Sequence, residues 1–482
     1  MSQTFEYLLY FGAYGLIMLF IGKSSFKESD SIYKVFVGER RTGFWRLFFT
    51  FVGTWISAAT VLGFPGNVYM SGTQVIAFTV IPWFIGTGML CAISGKIYDC
   101  KILTIPQLIG DRYGSRMLRI VCALLLSGGY VFYLVMQIKG FGIAAARLLN
   151  LDYKAVIFLV YLFILYSTFG GFYSVSKSDG FNLVILTVST GIVYLAVIRQ
   201  VGGGFLLSDG MVRDQVLPAG DLSQAGYLEK GGLLLYLSMF FGWGMGLATN
   251  PQYLIRIVAA KDGRTAKRVL LFSLIFLAAF YFCLTQIGLG LRILFPALAG
   301  ICGPDEIFVR AVGYLVDSRA SGLFLLSVIG ACISTANSQL LLIGSMMSYD
   351  VAAQLGRWKR TEDRILTLTN VFIFAGGTLA LIIAMNPPQN ILFFGADIWG
   401  LFAAFLTPLI YGTLYYGRGT KNGAWGALFA GLCGALVFSR LDLPVYWAFP
   451  ATLCSTAAYL LIPFLEAAAA RRRERGKEGT GV

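Results

Sequence analysis

Long apolar stretches separated by short polar segments follow one another along nearly the whole chain. A helix of roughly 20 apolar residues can cross a bilayer, and about thirteen stretches meet that length. They lie near residues 5–22, 45–70, 74–96, 118–147, 153–173, 180–199, 230–256, 268–292, 320–349, 365–385, 389–416, 422–440 and 443–466. The pattern predicts an all-α, polytopic membrane protein embedded in a lipid bilayer.

The ninth stretch is uncharged but carries a cluster of polar side chains. The cluster consists of Ser334, Thr335, Asn337, Ser338 and Gln339. Hydrocarbon offers these groups no hydrogen-bond partners, so they must face other parts of the protein. The pattern indicates a polar site inside the bundle, of a kind that suits oxygen ligation of a small cation.

Two other stretches are interrupted at matching places. The second carries hydroxyls at Thr54, Ser57 and Thr60 before the sequence GFPG at 63–66, and the seventh carries three glycines at 242–246 and ends near Pro251. Glycine and proline loosen the helical hydrogen-bond ladder and free backbone carbonyls. The two stretches are five apart and therefore antiparallel, and paired interruptions in two inverted copies are typical of transporter binding sites.

The repeats predict how the chain is organised. The expected parts are an N-terminal helix with a cytoplasmic loop at 1–44, a first inverted repeat at 45–200, an extracellular loop at 201–229, a second inverted repeat at 230–416, two C-terminal helices within 417–466 and a basic cytoplasmic tail at 467–482.

Composition agrees with a membrane protein, since 57% of the residues are hydrophobic and only 13% are charged. The net charge of +14 would by itself fit a nucleic-acid partner. The basic residues, however, gather in alternate loops and in the tail from Arg471 to Lys477, either as a topology signal or as a contact for anionic lipid. Because basic loops stay inside the cell, we expect a cell-membrane protein with its N-terminus outside and its C-terminus in the cytoplasm, and no nucleic-acid partner.

The residue types exclude several kinds of chemistry. The chain has no histidine, which removes haem ligation, most zinc sites and histidine acid–base catalysis. Its eight cysteines form no CxxC pair and are interpreted as small apolar residues. The predicted spans offer only Lys139, Asp397 and scattered hydroxyls, which is too little for an intramembrane enzyme.

Four motifs resemble those of the solute:sodium symporter family. They are YSTFGGFYSVSKSD at 166–179, GACISTANSQL at 330–340 with Asp350, WGLFAAFLTP at 399–408, and GTKNGAWG at 419–426. The resemblance implies the leucine-transporter-like fold, with five-plus-five inverted repeats, one extra N-terminal helix and two extra C-terminal helices. It also implies sodium-driven uptake of a small molecule by alternating access. A transporter-like sensor is the alternative from another functional class.

The resemblance further implies a sodium site between the second and ninth stretches. Its ligands would be the carbonyl oxygens of Gly53, Ile56 and Ala331 and the hydroxyls of Ser334 and Thr335. The two hydroxyls are about 100° apart around a helix, so both can face one ion. Hydrogen bonding of each hydroxyl back to its own helix is the structural alternative.

A second sodium site, or a site for ion release, is implied at Asp179 and Ser338. Some family members use an acid at the position of Asp179 in this way. The alternative is a carboxylate at the beginning of a helix, stabilised by the helix dipole. Asn337 stands where some members have a hydroxyl, which departs from the pattern of a second site.

The solute cavity is expected at Trp55, Ser57, Thr60 and Trp243, with Gln137 and Lys139 from the fourth stretch. A lysine inside a span either binds an anionic group or extends towards the membrane interface. The proline-transporting branch has an aspartate at the position of Trp55, and the sugar branch has an amide there. Neither is present in this chain, which counts against proline and against a sugar as the solute.

The segment 56–66 resembles the pantothenate and monocarboxylate branches. The expected solute is therefore a small organic acid, with a proline-like amino acid or a sugar as alternatives. The sequence leaves open the choice between sodium and proton coupling, the ion stoichiometry and the oligomeric state.

Overall fold

The computed structural model describes residues 3–26, 31–168, 170–202, 206–208, 211, 232–356, 361–388 and 390–478. Over these residues the protein is helical, and its β contact is an isolated bridge between Thr42 and Ala260. Most of the predicted loop at 201–229 lies outside the described residues, so its boundaries stay a prediction.

Ten helices are described between Gln3 and Val201. They are α1 (Gln3–Phe26), α2 (Ile32–Val37), α3 (Phe44–Trp55), α4 (Phe64–Ser71), α5 (Gln74–Phe78), α6 (Val80–Asp99), α7 (Ile105–Arg112), α8 (Arg116–Leu149), α9 (Tyr153–Thr168) and α10 (Gly171–Val201).

The second half repeats this alternation of long and broken helices. Its helices are α11 (Gly232–Ser238), α12 (Phe240–Thr249), α13 (Pro251–Ala259), α14 (Gly263–Leu294), α15 (Pro304–Leu315), α16 (Ser318–Ser345), α17 (Glu362–Ala384), α18 (Ile391–Tyr415), α19 (Lys421–Phe438) and α20 (Ala448–Glu478). A π-helical turn, Met346–Ala352, extends α16.

Ten helical segments of the described residues are long and apolar enough to cross a membrane, and one bent pair brings the number to eleven. Two more of the predicted stretches fall on α9 and α19, which have 16 and 18 residues. Each predicted stretch thus coincides with helical structure, while the count of thirteen spans stays a prediction.

The break in the second stretch lies before the glycines and proline that predicted it. Helix α3 ends at Trp55, Ile56 has an extended backbone (ψ 107°), and the chain bends by 59° before a π-helical turn, Ala59–Gly63. The predicted interruption at 63–66 was wrong because Pro65 lies in the first turn of α4, where a proline does not disturb a helix.

The break in the seventh stretch lies at Asn250, between α12 and α13. Asn250 is extended (ψ 121°) and its side chain accepts a hydrogen bond from the backbone N–H of Gln252, while Pro251 opens the next helix. The glycines of α12 stay helical and serve close packing. At Gly246, for example, a Cβ would overlap Trp399.

Helix α16 occupies the centre of the bundle. All of its most apolar 18-residue window is buried, compared with between 28% and 72% for the other spans. It packs against α8, α10 and α3. The polar cluster of the ninth stretch is therefore surrounded by protein, as predicted, and all of its side chains are buried.

Candidate functional site

Ser334 joins the centre of α16 to the broken end of α3. Its Oγ donates a hydrogen bond to the carbonyl oxygen of Gly53 at 2.7 Å and lies 3.0 Å from the carbonyl oxygen of Ala331 in its own helix. The hydroxyl is thus oriented towards two of the three main-chain oxygens that the family resemblance implied as sodium ligands.

Thr335 completes the same cluster of oxygens. Its Oγ1 lies 3.2 Å from the carbonyl oxygen of Thr54, 3.4 Å from that of Ile56 and 3.3 Å from that of Ala331. The structure therefore brings all the predicted sodium ligands together and adds the carbonyl of Thr54, which the sequence did not single out.

Gln137 stabilises the break that frees these carbonyls. In an unbroken helix the N–H of Ala58 would bond to the carbonyl of Thr54, but here it donates to Gln137 Oε1 at 3.0 Å. The predicted solute ligand Gln137 is thus bonded to the backbone of the break. The carbonyl of Ser57, another predicted solute residue, accepts hydrogen bonds from the N–H groups of Thr60 and Val61 within the same turn.

The oxygen cluster has the chemistry of a site for a small monovalent cation. Its candidate ligands are neutral carbonyls and hydroxyls, and they lie at the end of a broken helix, as sodium ligands do in transporters of this architecture. Over the described residues, no group of three or more cysteine, histidine or acidic side chains is placed to hold a metal ion. Among the described residues, the candidate cation ligands are therefore the main-chain and hydroxyl oxygens around Ser334 and Thr335.

Asp179 lies next to this cluster, within a second polar group. Thr50 donates its hydroxyl to Asp179 Oδ2 at 2.5 Å, and Thr54 Oγ1 lies 3.5 Å from the same oxygen. Thr54 Oγ1 is also 3.1 Å from Ser338 Oγ. Asp179 and Ser338 are thus neighbours, as the sequence predicted, but they also share a third partner.

That partner is Arg256, whose guanidinium fills the space between the predicted second-site residues. Its Nη2 donates to Ser338 Oγ at 2.7 Å and to Thr54 Oγ1, and lies 3.7 Å from Asp179 Oδ2. The remaining donors reach the carbonyls of Thr50 and Gln252. Arg256 stands at the end of the seventh apolar stretch, and the structure buries it in the last turn of α13.

Lys139 is bound to a carboxylate of the protein itself. Its Nζ lies 2.6 Å from Asp305 Oδ2 and 3.0 Å from the carbonyl oxygen of Pro388. Asp305, in the first turn of α15, also accepts from the backbone N–H of Ile391 at the beginning of α18. The expected role of Lys139 as a partner for the solute thus competes with a cross-link between α8, α15 and α18.

Five aromatic rings form a closed cycle of neighbours around the two breaks. They are Trp55, Trp83, Trp243, Trp399 and Tyr253, here called the aromatic cycle, and each is at most 4% exposed. Tyr281 lies beside it, accepting from Trp55 Nε1 at 3.0 Å and bonding the hydroxyl of Thr60 at 3.2 Å. Three predicted solute residues, Trp55, Thr60 and Trp243, therefore belong to one region.

The sequence did not single out Trp83, Trp399, Tyr253 or Tyr281 for this region. Trp399 stood in one of the motifs, but nothing in the local pattern distinguishes the other three from ordinary aromatic residues of a membrane helix. These three residues lie on α6, α13 and α14, and only the packing of those helices brings them together.

Comparison with protein families and relatives agrees with the architecture. The model of the sodium:solute symporter family matches residues 35–434. The osmoregulated proline transporter OpuE of Bacillus subtilis is 24% identical over 474 residues, covering 96% of this chain and 92% of that protein. The sodium/proline symporter of Escherichia coli is 24% identical over 485 residues, covering 96% of this chain and 94% of that protein.

Two solved structures share the fold. One is a sodium-coupled sialic acid symporter in a substrate-bound, outward-open state, described as having a novel sodium site, with a TM-score of 0.77, 16% identity, and coverage of 95% of this chain and 98% of that one. The other is the nucleobase-cation-symport-1 transporter Mhp1 in a closed conformation, with a TM-score of 0.58, 14% identity, and coverage of 89% and 92%.

Proposed function

The chain belongs to the sodium:solute symporter family, and we propose that it imports a small amino-acid-like solute by alternating access, driven by the entry of one sodium ion. The family and the fold make it a sodium-coupled symporter and a multi-pass cell-membrane protein. The fold class predicted from the sequence is confirmed: an all-α membrane protein with the leucine-transporter-like core.

The proposal rests on one observation: the hydroxyls of Ser334 and Thr335 contact the backbone carbonyls at the end of α3. Helix α3 lies in the first predicted repeat and α16 in the second. An ion held between them would favour one arrangement of the two repeats, because a ligand shifts a conformational equilibrium only by binding one state better. Sodium binding would thereby be linked to the access of the solute site.

One sodium ion per cycle is proposed because the second implied site already holds a cation. The guanidinium of Arg256 contacts Ser338 and faces Asp179 at 3.7 Å. A buried carboxylate needs a compensating positive charge, and a tethered arginine supplies it without an ion from solution. Asp179 and Ser338 are therefore proposed as partners of Arg256 rather than as ligands of a second sodium ion.

The proposed solute is amino-acid-like rather than an organic acid. The relatives named above are proline transporters, which agrees with the alternative that the sequence left open. The sequence-based argument for an organic acid was the resemblance of segment 56–66, with Lys139 as a partner for an anionic group, and the ammonium group of Lys139 lies 2.6 Å from Asp305. The sequence-based preference for a monocarboxylate or pantothenate-like solute is therefore replaced.

Two cross-links at different places are proposed as the gates. One is the ion pair of Lys139 with Asp305, on the side predicted to be extracellular. The other is the backbone bridge in which Thr42 bonds to Ala259 and Lys261, joining the beginning of α3 to the end of α13 on the predicted cytoplasmic side. During alternating access, one cross-link would break and open its side of the solute site while the other stays intact and keeps the opposite side closed.

Uptake by proteoliposomes tests the proposal. Purified protein is reconstituted, and labelled proline is supplied with an inward sodium gradient, with equal sodium on both sides, or with potassium in place of sodium. We expect accumulation above the equilibrium level only with the gradient. Uptake that is insensitive to sodium would overturn the symporter, and sodium-dependent binding without any uptake would favour a transporter-like sensor.

A further inference from the structure

We propose that the aromatic cycle binds a quaternary ammonium group, so that the solute is a small, fully N-alkylated ammonium compound carrying an oxygen acceptor. The inference rests on the sodium-coupled uptake proposed above and names its substrate class. It follows from the arrangement of Trp55, Trp83, Trp243, Trp399 and Tyr253, from the charges around them and from their unpaired donors.

The five rings contact one another in an unbroken circuit. The distances between ring centroids around it are 6.4 Å for Trp55 to Trp83, 4.9 Å for Trp83 to Trp243, 5.0 Å for Trp243 to Trp399, 5.8 Å for Trp399 to Tyr253, and 5.7 Å for Tyr253 to Trp55. These separations are comparable to the ~6 Å reach of a cation–π contact, so a cation lying among the rings would be within reach of several of them.

The chemistry of the rings favours a cation. Four of the five are tryptophans, whose indole rings attract cations more strongly than phenol or phenyl rings do, and the attraction grows when the site is dry. Neighbouring rings are tilted by 52° to 79° rather than stacked. Binding of quaternary ammonium ligands by such groups of aromatic rings is a recurrent use of this interaction.

The pairing of the buried carboxylates among the described residues selects the type of cation. Among the described residues, three buried carboxylates of the helical core are paired elsewhere: Asp179 with Arg256, Asp305 with Lys139, and Asp350 with Arg119. Over the same residues, no hydrogen bond joins a ring of the cycle to a carboxylate. A primary or secondary ammonium would therefore give up hydrogen bonds to water without gaining a carboxylate partner, at a substantial cost. A quaternary ammonium has no N–H groups and avoids that loss.

Buried donors of the cycle without hydrogen-bond partners, among them two indole N–H groups, indicate the rest of the solute. The indole Nε1 atoms of Trp83 and Trp243 are buried and have no hydrogen-bond partner in the described part of the chain. An indole N–H can only donate, and buried donors without partners are rare. A hydroxyl or carboxylate oxygen on the solute would satisfy them.

The position of the cycle connects it to the sodium site. Trp55 is the last residue of α3 and stands between Thr54 and Ile56, whose carbonyls face Thr335. Tyr253 lies in the first turn of α13, directly after the second break. A solute held by these rings would therefore contact both broken helices next to the ion.

A methylation series tests the proposal. Binding to the reconstituted full-length protein is measured by titration calorimetry in sodium for glycine betaine, dimethylglycine, sarcosine, glycine and proline, and for choline against its neutral isostere 3,3-dimethyl-1-butanol. We expect affinity to fall about tenfold or more between glycine betaine and sarcosine, and choline to bind at least tenfold tighter than the isostere if the hydroxyl form is accepted. Tighter binding of glycine betaine than of choline would identify a carboxylate as the acceptor, and the reverse order a hydroxyl.

Equal affinity for glycine betaine and glycine, or proline binding tighter than every quaternary compound, would overturn the proposal. Those results together with sodium-driven proline uptake would leave the symporter intact. Failure of every probe to be driven by sodium would instead overturn the proposed function.

Variants of the cycle give a second measurement. Trp243→Phe keeps a ring with a weaker cation–π attraction, and Trp243→Leu removes it. We expect affinity for the best quaternary compound to fall in the order wild type, Phe, Leu, by more than about tenfold overall. Trp425→Leu is the matched control, because Trp425 stacks on Phe429 in α19 outside the cycle, and it should bind as the wild type does. The sodium-induced rise in melting temperature checks that each variant is folded, and an unchanged affinity in folded Trp243→Leu would contradict the proposal.

Discussion

Arg256 Nη2 lies 3.7 Å from Asp179 Oδ2. The positive charge next to this buried carboxylate is therefore that of a protein side chain. The other carboxylate oxygen, Oδ1, is buried and has no hydrogen-bond partner among the described residues. Two helices of different repeats, α10 and α13, are thereby joined at the point where the family resemblance implied a second sodium site or a site for ion release.

Removing the arginine is expected to convert this site into a sodium site. Arg256→Met leaves the carboxylate buried without its partner, which costs about 3–5 kcal/mol in the absence of a replacement cation. We expect the melting temperature of this variant to depend more steeply on sodium concentration than that of the wild type, and the measured sodium-to-solute ratio to rise from one towards two.

The double variant Arg256→Met with Asp179→Asn is the control for that experiment. It removes both charges, so it should be more stable than the single variant without sodium and should show no additional sodium response. If the single variant responds to sodium as the wild type does, the site does not accept a second ion.

Thr335→Ala tests the first ion site. It removes a hydroxyl that lies 3.2 Å from the carbonyl of Thr54 and 3.4 Å from that of Ile56. We expect the sodium concentration for half-maximal uptake to rise about tenfold or more, equivalent to ~1.4 kcal/mol for one lost ligand, with little change in solute affinity at saturating sodium.

Ser327→Ala is the matched control on the same helix. Ser327 is buried in α16 and bonds to Ser189 at 2.7 Å, away from the break. Its variant should keep the sodium response of the wild type. An unchanged sodium response in Thr335→Ala would show that this hydroxyl is not a sodium ligand.

The ion pair of Lys139 and Asp305 is predicted to hold α15 rather than to bind the solute. Lys139→Met should lower thermal stability by about 3–5 kcal/mol, and adding Asp305→Asn should restore part of that loss, since an unpaired buried charge costs more than a neutral pair. Thermal unfolding of the four members of the double-mutant cycle measures the coupling. If Lys139→Met instead loses much of its solute affinity at unchanged stability, Lys139 is a solute-binding residue and the prediction is wrong.

Gly66 is predicted to be required for the closed position of α15. A Cβ at this residue would overlap the carbonyl oxygen of Pro304, and backbone cannot move aside as a flexible side chain can. Gly66→Ala should therefore reduce uptake strongly and raise the accessibility of a thiol introduced near the solute site. Gly88→Ala, on α6, meets nothing within 4 Å and should transport normally. Normal transport by both variants would mean that this close approach is not needed in the cycle.

The sequence predicted the helices far better than the breaks within them. Apolar stretches identified each helical region, because the bilayer selects segments by length and hydropathy, which are local properties. The break near Ile56 escaped detection because no glycine or proline marks it. Its stability comes from Gln137 on α8, which takes the N–H of Ala58. Of the residues that predicted a break at 63–66, Pro65 serves helix initiation and Gly66 the close approach of α15.

The sequence by itself determined the class of protein, the family and the oxygen-rich cluster at Ser334 and Thr335, because each depends on composition or on residues adjacent in the chain. Only the tertiary structure decided that Arg256 faces Asp179, that Lys139 is paired with Asp305, and that the five rings form a circuit. Charge pairing and ring contacts depend on distances between helices far apart in sequence, and those distances are set by how the whole bundle packs.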